Sequence, residues 1–283
     1  MIPMRPAPEL IQQAEQDLRW LVHCPALIDS PLVLDLPDPL SSDIEIDWSP
    51  VLRFHETKAA HRVGYYVESL IQVWLESTPG ISDLRHGIQI IREKETLGEL
   101  DFLFRREGKL HHLEVALKFY LYTPDHSVGG CRFIGPNAAD TFEKKRDRLL
   151  EKQIPFGREF FPGIDESHIL VKGMIFYDPR NALPESLPRR LNPHHARGQW
   201  AYEAEFEERF GNCGGAVLPK PFWLAVPDEL QEAAREAGHL QRELARLRER
   251  MPSRPRFLHR LIDAEAGTAE KLFLVPGEWP GGK

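Results

Sequence analysis

The chain has 283 residues, 42% of them hydrophobic and 28% charged, with a formal net charge of -7. It is long enough for one elaborated domain or two small ones, and apolar enough to fill a core, which excludes a disordered chain. The acidic balance excludes indiscriminate nucleic-acid binding through overall charge, so any such contact needs a local basic face.

Cys24, Cys131 and Cys213 have no short paired spacing, so neither a zinc knuckle nor a disulfide framework is indicated. Residues 1 to 8 lack the charged and apolar regions of a secretory signal, and no apolar run approaches a membrane span. Cytoplasmic residence without a membrane partner is the expectation. Twelve histidines invite a metal reading, but the pairs His111-His112 and His194-His195 lack the i, i+4 helical spacing of a zinc hydrolase.

In chain order, Leu10, Ala14, Leu18 and Leu21 predict an amphipathic helix over residues 9 to 23, stopped by Pro25. A proline-rich, acidic connector runs to about Pro50, with too many breakers for regular structure throughout, and is expected to wrap the core surface. In residues 58 to 76, Val63, Tyr66, Val67, Leu70, Ile71 and Trp74 recur at helical steps, with Glu68 at the edge of the stripe. Glu68 lies only about 40° round from Gly64, at about 100° per residue. The glycine is therefore expected to open that surface to close contact with a sheet.

Ile88, Ile90 and Ile91 mark a strand over residues 86 to 93, and a hairpin follows. Its first strand alternates Glu99 and Asp101 against Leu100, Phe102 and Phe104. Arg106-Glu107-Gly108-Lys109 supplies a short polar turn. On the second strand His112, Glu114, Ala116, Lys118 and Tyr120 share one face, and Leu113, Val115, Leu117, Phe119 and Leu121 form the core face. Both strands thus turn carboxylates the same way. Like charges gathered together repel and lose hydration, a cost that a divalent cation such as Mg²⁺ removes, because it prefers carboxylate oxygens. The alternative is a strand face that is merely charged and solvated. His112 on that face is either a supporting residue or a satisfied surface histidine.

Further on, Gly135-Pro136-Asn137 is expected to start a helix reaching about residue 152, with Lys144, Lys145, Arg148 and Lys152 at helical spacing as a candidate phosphate-binding face. Ile169 to Phe176 predicts an apolar strand. A proline-punctuated link covers 181 to 193. Trp200, Tyr202 and Phe206 then suggest a strand or helix, and residues 221 to 226 a short strand. A helix from about Asp228 to Arg250 carries Leu230, Ala233, Ala237, Leu240, Leu244 and Leu247, a seam for an oligomer partner or, with so few heptads, for its own domain. Residues 271 to 275 close the fold as a final strand.

The order helix, three strands, helix, strand, with Glu68 in the first helix, Asp101 on the second strand and Glu114 plus Lys118 on the third, resembles the core of the PD-(D/E)XK nuclease superfamily over roughly residues 58 to 177. The resemblance implies a mixed α/β (α+β) protein with a restriction-endonuclease-like αβββαβ core. It implies Mg²⁺ or Mn²⁺ held by Glu68, Asp101 and Glu114, with Lys118 assisting the attacking water and Glu99 supporting the cluster. The chain would divide into an N-terminal helix and connector (1–57), the core (58–180) and C-terminal accessory elements (181–283). One departure stands out: the lysine usually lies two residues after the third-strand acid, where this chain has Ala116. Lys118 is roughly 7 Å further along the strand.

A second resemblance covers nearly the whole chain. Gln16-Asp17-Leu18-Arg19-Trp20-Leu21 before Cys24-Pro25, Gly98-Glu99-Leu100-Asp101-Phe102, Glu114-Val115-Ala116 with Lys118-Phe119-Tyr120, Gly135-Pro136-Asn137, and His195-Ala196-Arg197-Gly198 with Trp200 are similar to a bacterial family catalogued as domain of unknown function 1853. Two classes of function stay open: a metal-dependent nuclease acting on DNA or RNA, and a catalytically inactive nuclease-fold module that binds nucleic acid or protein. Retention of three acids favours the first and Ala116 the second.

Overall fold

The structure, a computed structural model, describes residues 7–41, 44–211, 213–263 and 266–281. The chain divides into two compact units, the first formed by Met1–Leu117, Arg146–Lys172 and Arg190–Asn192 and the second by Lys118–Lys145, Gly173–Arg189 and Pro193–Lys283.

In the first unit, helix α1 (Ala7–His23) buries Leu10, Ala14, Leu18 and Leu21 as one stripe and ends ahead of Pro25, which cannot continue it. The connector is less irregular than its breakers predict. Its residues 49–56 form helix α2 (Ser49–Glu56), because Pro50 sits in the first turn, where its missing N–H has no helical partner to lose. Nor does the connector only skirt the surface: Leu27 and Ile28 are fully buried, and Leu27 N–H donates to Val171 O at 2.7 Å. Helix α3 (Val63–Glu76) starts five residues later than its periodicity suggests and buries Tyr66, Val67, Leu70, Ile71, Val73 and Trp74. Tyr66 O–H donates to Asp17 Oδ2 at 2.6 Å, tying α3 to α1 in the interior.

Three antiparallel strands follow: β1 (Ile81–Arg92), β2 (Glu95–Arg106) and β3 (Lys109–Tyr122). Each connection has two residues with positive φ, Glu93 (51°) and Lys94 (70°), then Glu107 (52°) and Gly108 (77°). These are the mirror-image turns whose twist matches that of paired strands. The β2–β3 turn fixes the register at Arg106↔Lys109, hence Phe104↔His111 and Leu103↔His112.

The helix expected from Gly135 begins only at Phe142. Gly135 N–H bonds to Asp140 O at 2.8 Å and Ala138 N–H to Gly135 O, so these residues close a turn instead. From there α4 (Phe142–Arg148), a π turn (Leu149–Gln153) and α5 (Ile154–Phe160) make one continuous helical run. The π turn has a local cause. Pro155 has no N–H and its ring crowds the carbonyl of Glu151, so the helix widens just before it and Ile154 N–H reaches back to Leu149 O. Strand β5 (Glu166–Tyr177) then contributes Glu166–Lys172 to the first unit.

In the second unit the end of β3 pairs with β4 (Phe133–Ile134), and the end of β5 runs parallel to β6 (Ala196–Tyr202). After helix α6 (Phe206–Phe210) and strand β7 (Gly215–Val217), residues 221–226 form no strand. Phe222 and Leu224 are buried as loop residues, since a short apolar run marks burial without fixing conformation. The helix expected over 228–250 is two, α7 (Asp228–Ala233) and α8 (His239–Arg250), broken where Gly238 takes φ 71°. Leu240 and Leu244 pack on this unit's own core with Phe206, Leu258, Leu272 and Leu274. Strands β8 (Arg256–Asp263) and β9 (Thr268–Val275) complete the second unit's mixed sheet, in the order β5-β6-β9-β8-β7, with β4 beside the end of β3. Among the described residues no helix is long and apolar enough to cross a membrane.

Candidate carboxylate site

Alternation along β2 and β3 puts Glu99, Asp101, His112 and Glu114 on one face of the first unit's strands. The paired register ends at Phe102↔Leu113; one position on, Asp101 Oδ2 accepts Val115 N–H at 2.7 Å, so a carboxylate replaces a ladder carbonyl where the strands part. Glu68 of α3 joins this group electrostatically. Burial above all, together with the neighbouring charges of Asp101, Glu99 and Glu114, pushes its carboxyl up to about 8.

The face is not a solvated one. Glu114 and His112 are fully buried, whereas Glu99 remains exposed and Asp101 and Glu68 lie between. The helical run from α4 to α5 supplies one of Glu114's partners and β3 the other. Gln153 Nε2 donates to Glu114 Oε2, and His112 Nε2 donates to Oε1 at 2.9 Å. His112 Nδ1, with no hydrogen-bond partner, faces Gly157, where an added Cβ would come within 2.5 Å of it. The two contacts fit by repeat length. Gln153 and Gly157 are one helical turn apart, about 6 Å, and Glu114 and His112 are two strand residues apart, about 6.6 Å.

Other sequence expectations fare unevenly. Gly64 gives no close approach, since a Cβ there would meet nothing within 4 Å. Lys118 belongs to the second unit, where its Nζ donates to Asp140 Oδ2 at 2.8 Å. Lys144, Arg148 and Lys152 are exposed and Lys145 is half-buried. The carboxylate oxygens of Glu68, Asp101 and Glu114 do not close within 4.8 Å of one another. Among the described residues the one group that does is His111, Glu166 and His168, which spacing along the chain did not reveal. Gln153 was also missed, because the extra residue of a π turn leaves no mark in the hydrophobic period.

The donor set of the carboxylate face is all oxygen on the acid side, which suits Mg²⁺ or Mn²⁺; burial first and the neighbouring acids second raise the Glu68 carboxyl, and a divalent cation would offset both. Glu68, Asp101 and Glu114 are the residues that would hold it.

Fold and site together define a mixed α/β protein with a half-buried acidic cluster on an antiparallel three-stranded segment. The chain belongs to the family described as "Domain of unknown function (DUF1853)", whose model matches residues 7–275. No curated protein and no solved structure matches it significantly.

Proposed function

We propose that the chain is a metal-dependent nuclease of the PD-(D/E)XK type, hydrolysing phosphodiester bonds in DNA or RNA. The observation that carries this reading is the coupling of Glu68 to Asp101, Glu99 and Glu114, four acids from α3, β2 and β3 whose charges resist one another in a partly buried place. Such a cluster is costly unless a cation completes it. The order α3-β1-β2-β3-helix-β5 supports the same reading.

Glu68, Asp101 and Glu114 would hold Mg²⁺ or Mn²⁺, with Glu99 adding to the negative field. Such an ion would supply a water of lowered pKa and a charge to oppose that developing on the phosphate. His112 and Gln153 hold the Glu114 carboxylate in one orientation by donating to both of its oxygens. Val115 N–H does the same for Asp101. Lys144, Lys145, Arg148 and Lys152 give phosphate contacts without base preference. Cytoplasmic residence belongs to the same reading.

A gel cleavage assay with single- and double-stranded DNA and RNA, with Mn²⁺ or Mg²⁺ and with chelator, tests it. Cleavage should require the metal and disappear in Asp101→Asn. Metal-independent cleavage, or full activity in that variant, removes this site from the chemistry.

The second reading, a catalytically inactive nuclease-fold module, is favoured by Ala116 in the usual lysine position and by the engagement of Lys118 with Asp140. Nucleic-acid binding that weakens with salt and with charge removal at Arg148 and Lys152, without cleavage under any metal, would decide for it.

A further inference from the structure

His111, Glu166 and His168 lie on the first unit's β3 and β5. Because neighbouring residues on a strand point to opposite sides, His111 faces away from the side that His112 and Glu114 share. His111 Nδ1 and His168 Nε2 are 2.9 Å apart, and Glu166 Oε2 is 3.8 Å from the first and 3.7 Å from the second. A tetrahedral ion with Zn–N near 2.05 Å sets its ligand atoms about 3.3 Å apart. The three atoms therefore need shifts of only a few tenths of an ångström to become ligands.

The neighbours hold this arrangement. His111 Nε2 lies 3.3 Å from Arg106 O; a carbonyl only accepts, so Nε2 carries the proton and Nδ1 presents its lone pair to His168. The His111 ring stacks on Phe104 at 5.1 Å and on His168 at 5.2 Å. Lys109 Nζ donates to Glu166 Oε1 at 2.6 Å, which leaves Oε2 turned to the imidazoles. A carbonyl behind one metal-binding imidazole and a fixed carboxylate are the outer contacts that orient ligands in built sites.

We propose that His111, Glu166 and His168 form a binding site for a late first-row divalent cation, Zn²⁺ above all, with a fourth position open to solvent on the side of the half-exposed Glu166. Two imidazoles and one carboxylate suit Zn²⁺, Ni²⁺ or Co²⁺ and disfavour Mg²⁺. The ion takes the place of the proton shared between the rings: His168 moves its proton from Nε2 to Nδ1, remains neutral, and offers Nε2 as a ligand. The site ties β3 to β5 and is independent of the nuclease reading.

The full chain, stripped with chelator, is titrated with ZnCl₂ alone by calorimetry, and with CoCl₂ by visible absorption. One equivalent of Zn²⁺ should bind, and Co²⁺ should give the intense bands of four- or five-coordination. His168→Asn should weaken Zn²⁺ binding at least 100-fold and abolish the Co²⁺ bands, while Asp101→Asn leaves both unchanged. Glu166→Gln, at a half-exposed strand position, should weaken binding about 10-fold and serves as the test if His168→Asn does not fold. Absence of binding up to 100-fold molar excess of Zn²⁺, or binding in His168→Asn and Glu166→Gln equal to the parent's, overturns the proposal.

Discussion

His112 Nε2 lies 2.9 Å from Glu114 Oε1 with both side chains fully buried, and the ring nitrogen is the donor because an ionised carboxylate only accepts. Glu114 therefore also holds the interior together. Removing one acid from a repulsive cluster would by itself relieve strain, but here Gln153 and His112 would lose their acceptor. Glu114→Ala should cost about 2–4 kcal/mol in urea unfolding, from two buried donors left unpaired. Glu114→Gln should cost less, and Asp101→Asn, whose amide oxygen can still accept from Val115 N–H, less than about 1 kcal/mol.

The pH dependence of stability should carry the signature of Glu68. Its carboxyl rises from an ordinary 4.5 to about 8 through burial and the charges of Asp101, Glu99 and Glu114. Between those values the folded protein holds a proton that the unfolded chain has released. Its contribution is complete below about 4.5 and is lost as pH rises through about 8. Denaturation midpoints should fall over that window in metal-free buffer. Glu68→Gln should flatten the slope, and an unchanged slope in that variant would assign it to other groups.

Gly157→Ala tests the seat of His112. The new methyl would come within 2.5 Å of Nδ1. It must displace the ring and with it the donor to Glu114, an overpacking cost of about 1–3 kcal/mol. Gly64→Ala, where the space is open and the helix gains propensity, should stabilise by roughly 0.5–1 kcal/mol. Thermal melts of the two variants should shift in opposite directions.

Lys118 and Asp140 form a pair with about a third of each side chain exposed (32% and 35%), so Asp140→Asn should cost less than about 1 kcal/mol. Under the nuclease reading, Lys118→Ala should lower turnover and leave Mn²⁺ affinity intact, because the lysine acts on water and charge and not as a ligand. Turnover equal to the parent's would make the lysine structural. Ala116→Lys in the Lys118→Ala background should restore part of the rate.

The hairpin was legible because its signals are local: two polar turn residues and strict alternation assign Glu99, Asp101, His112 and Glu114 to one face without tertiary information. The burial of that face was not, since alternation assumes one wet side and Gln153 and Gly157 come from a helical run 39 or more residues further along. The false strand at 221–226 and the single helix at 228–250 fail for one reason. Apolar spacing records what is buried, while the backbone path depends on single residues such as Gly238. His111 and His168 meet only through the placing of β5, which no run of residues announces.

The π turn ahead of Pro155 has a consequence for how this segment tolerates change. One residue more than an α turn requires rotates everything beyond it by about 100° about the helix axis. The angular phase of Gln153 and Gly157 is thus set by the number of residues between Phe142 and Pro155 more than by their identities. One further residue inserted at the exposed Glu151 would keep every side chain that touches Glu114 and His112 in the sequence and still turn them away. The acidic face would stay intact on its strands but lose both of its counterparts at once.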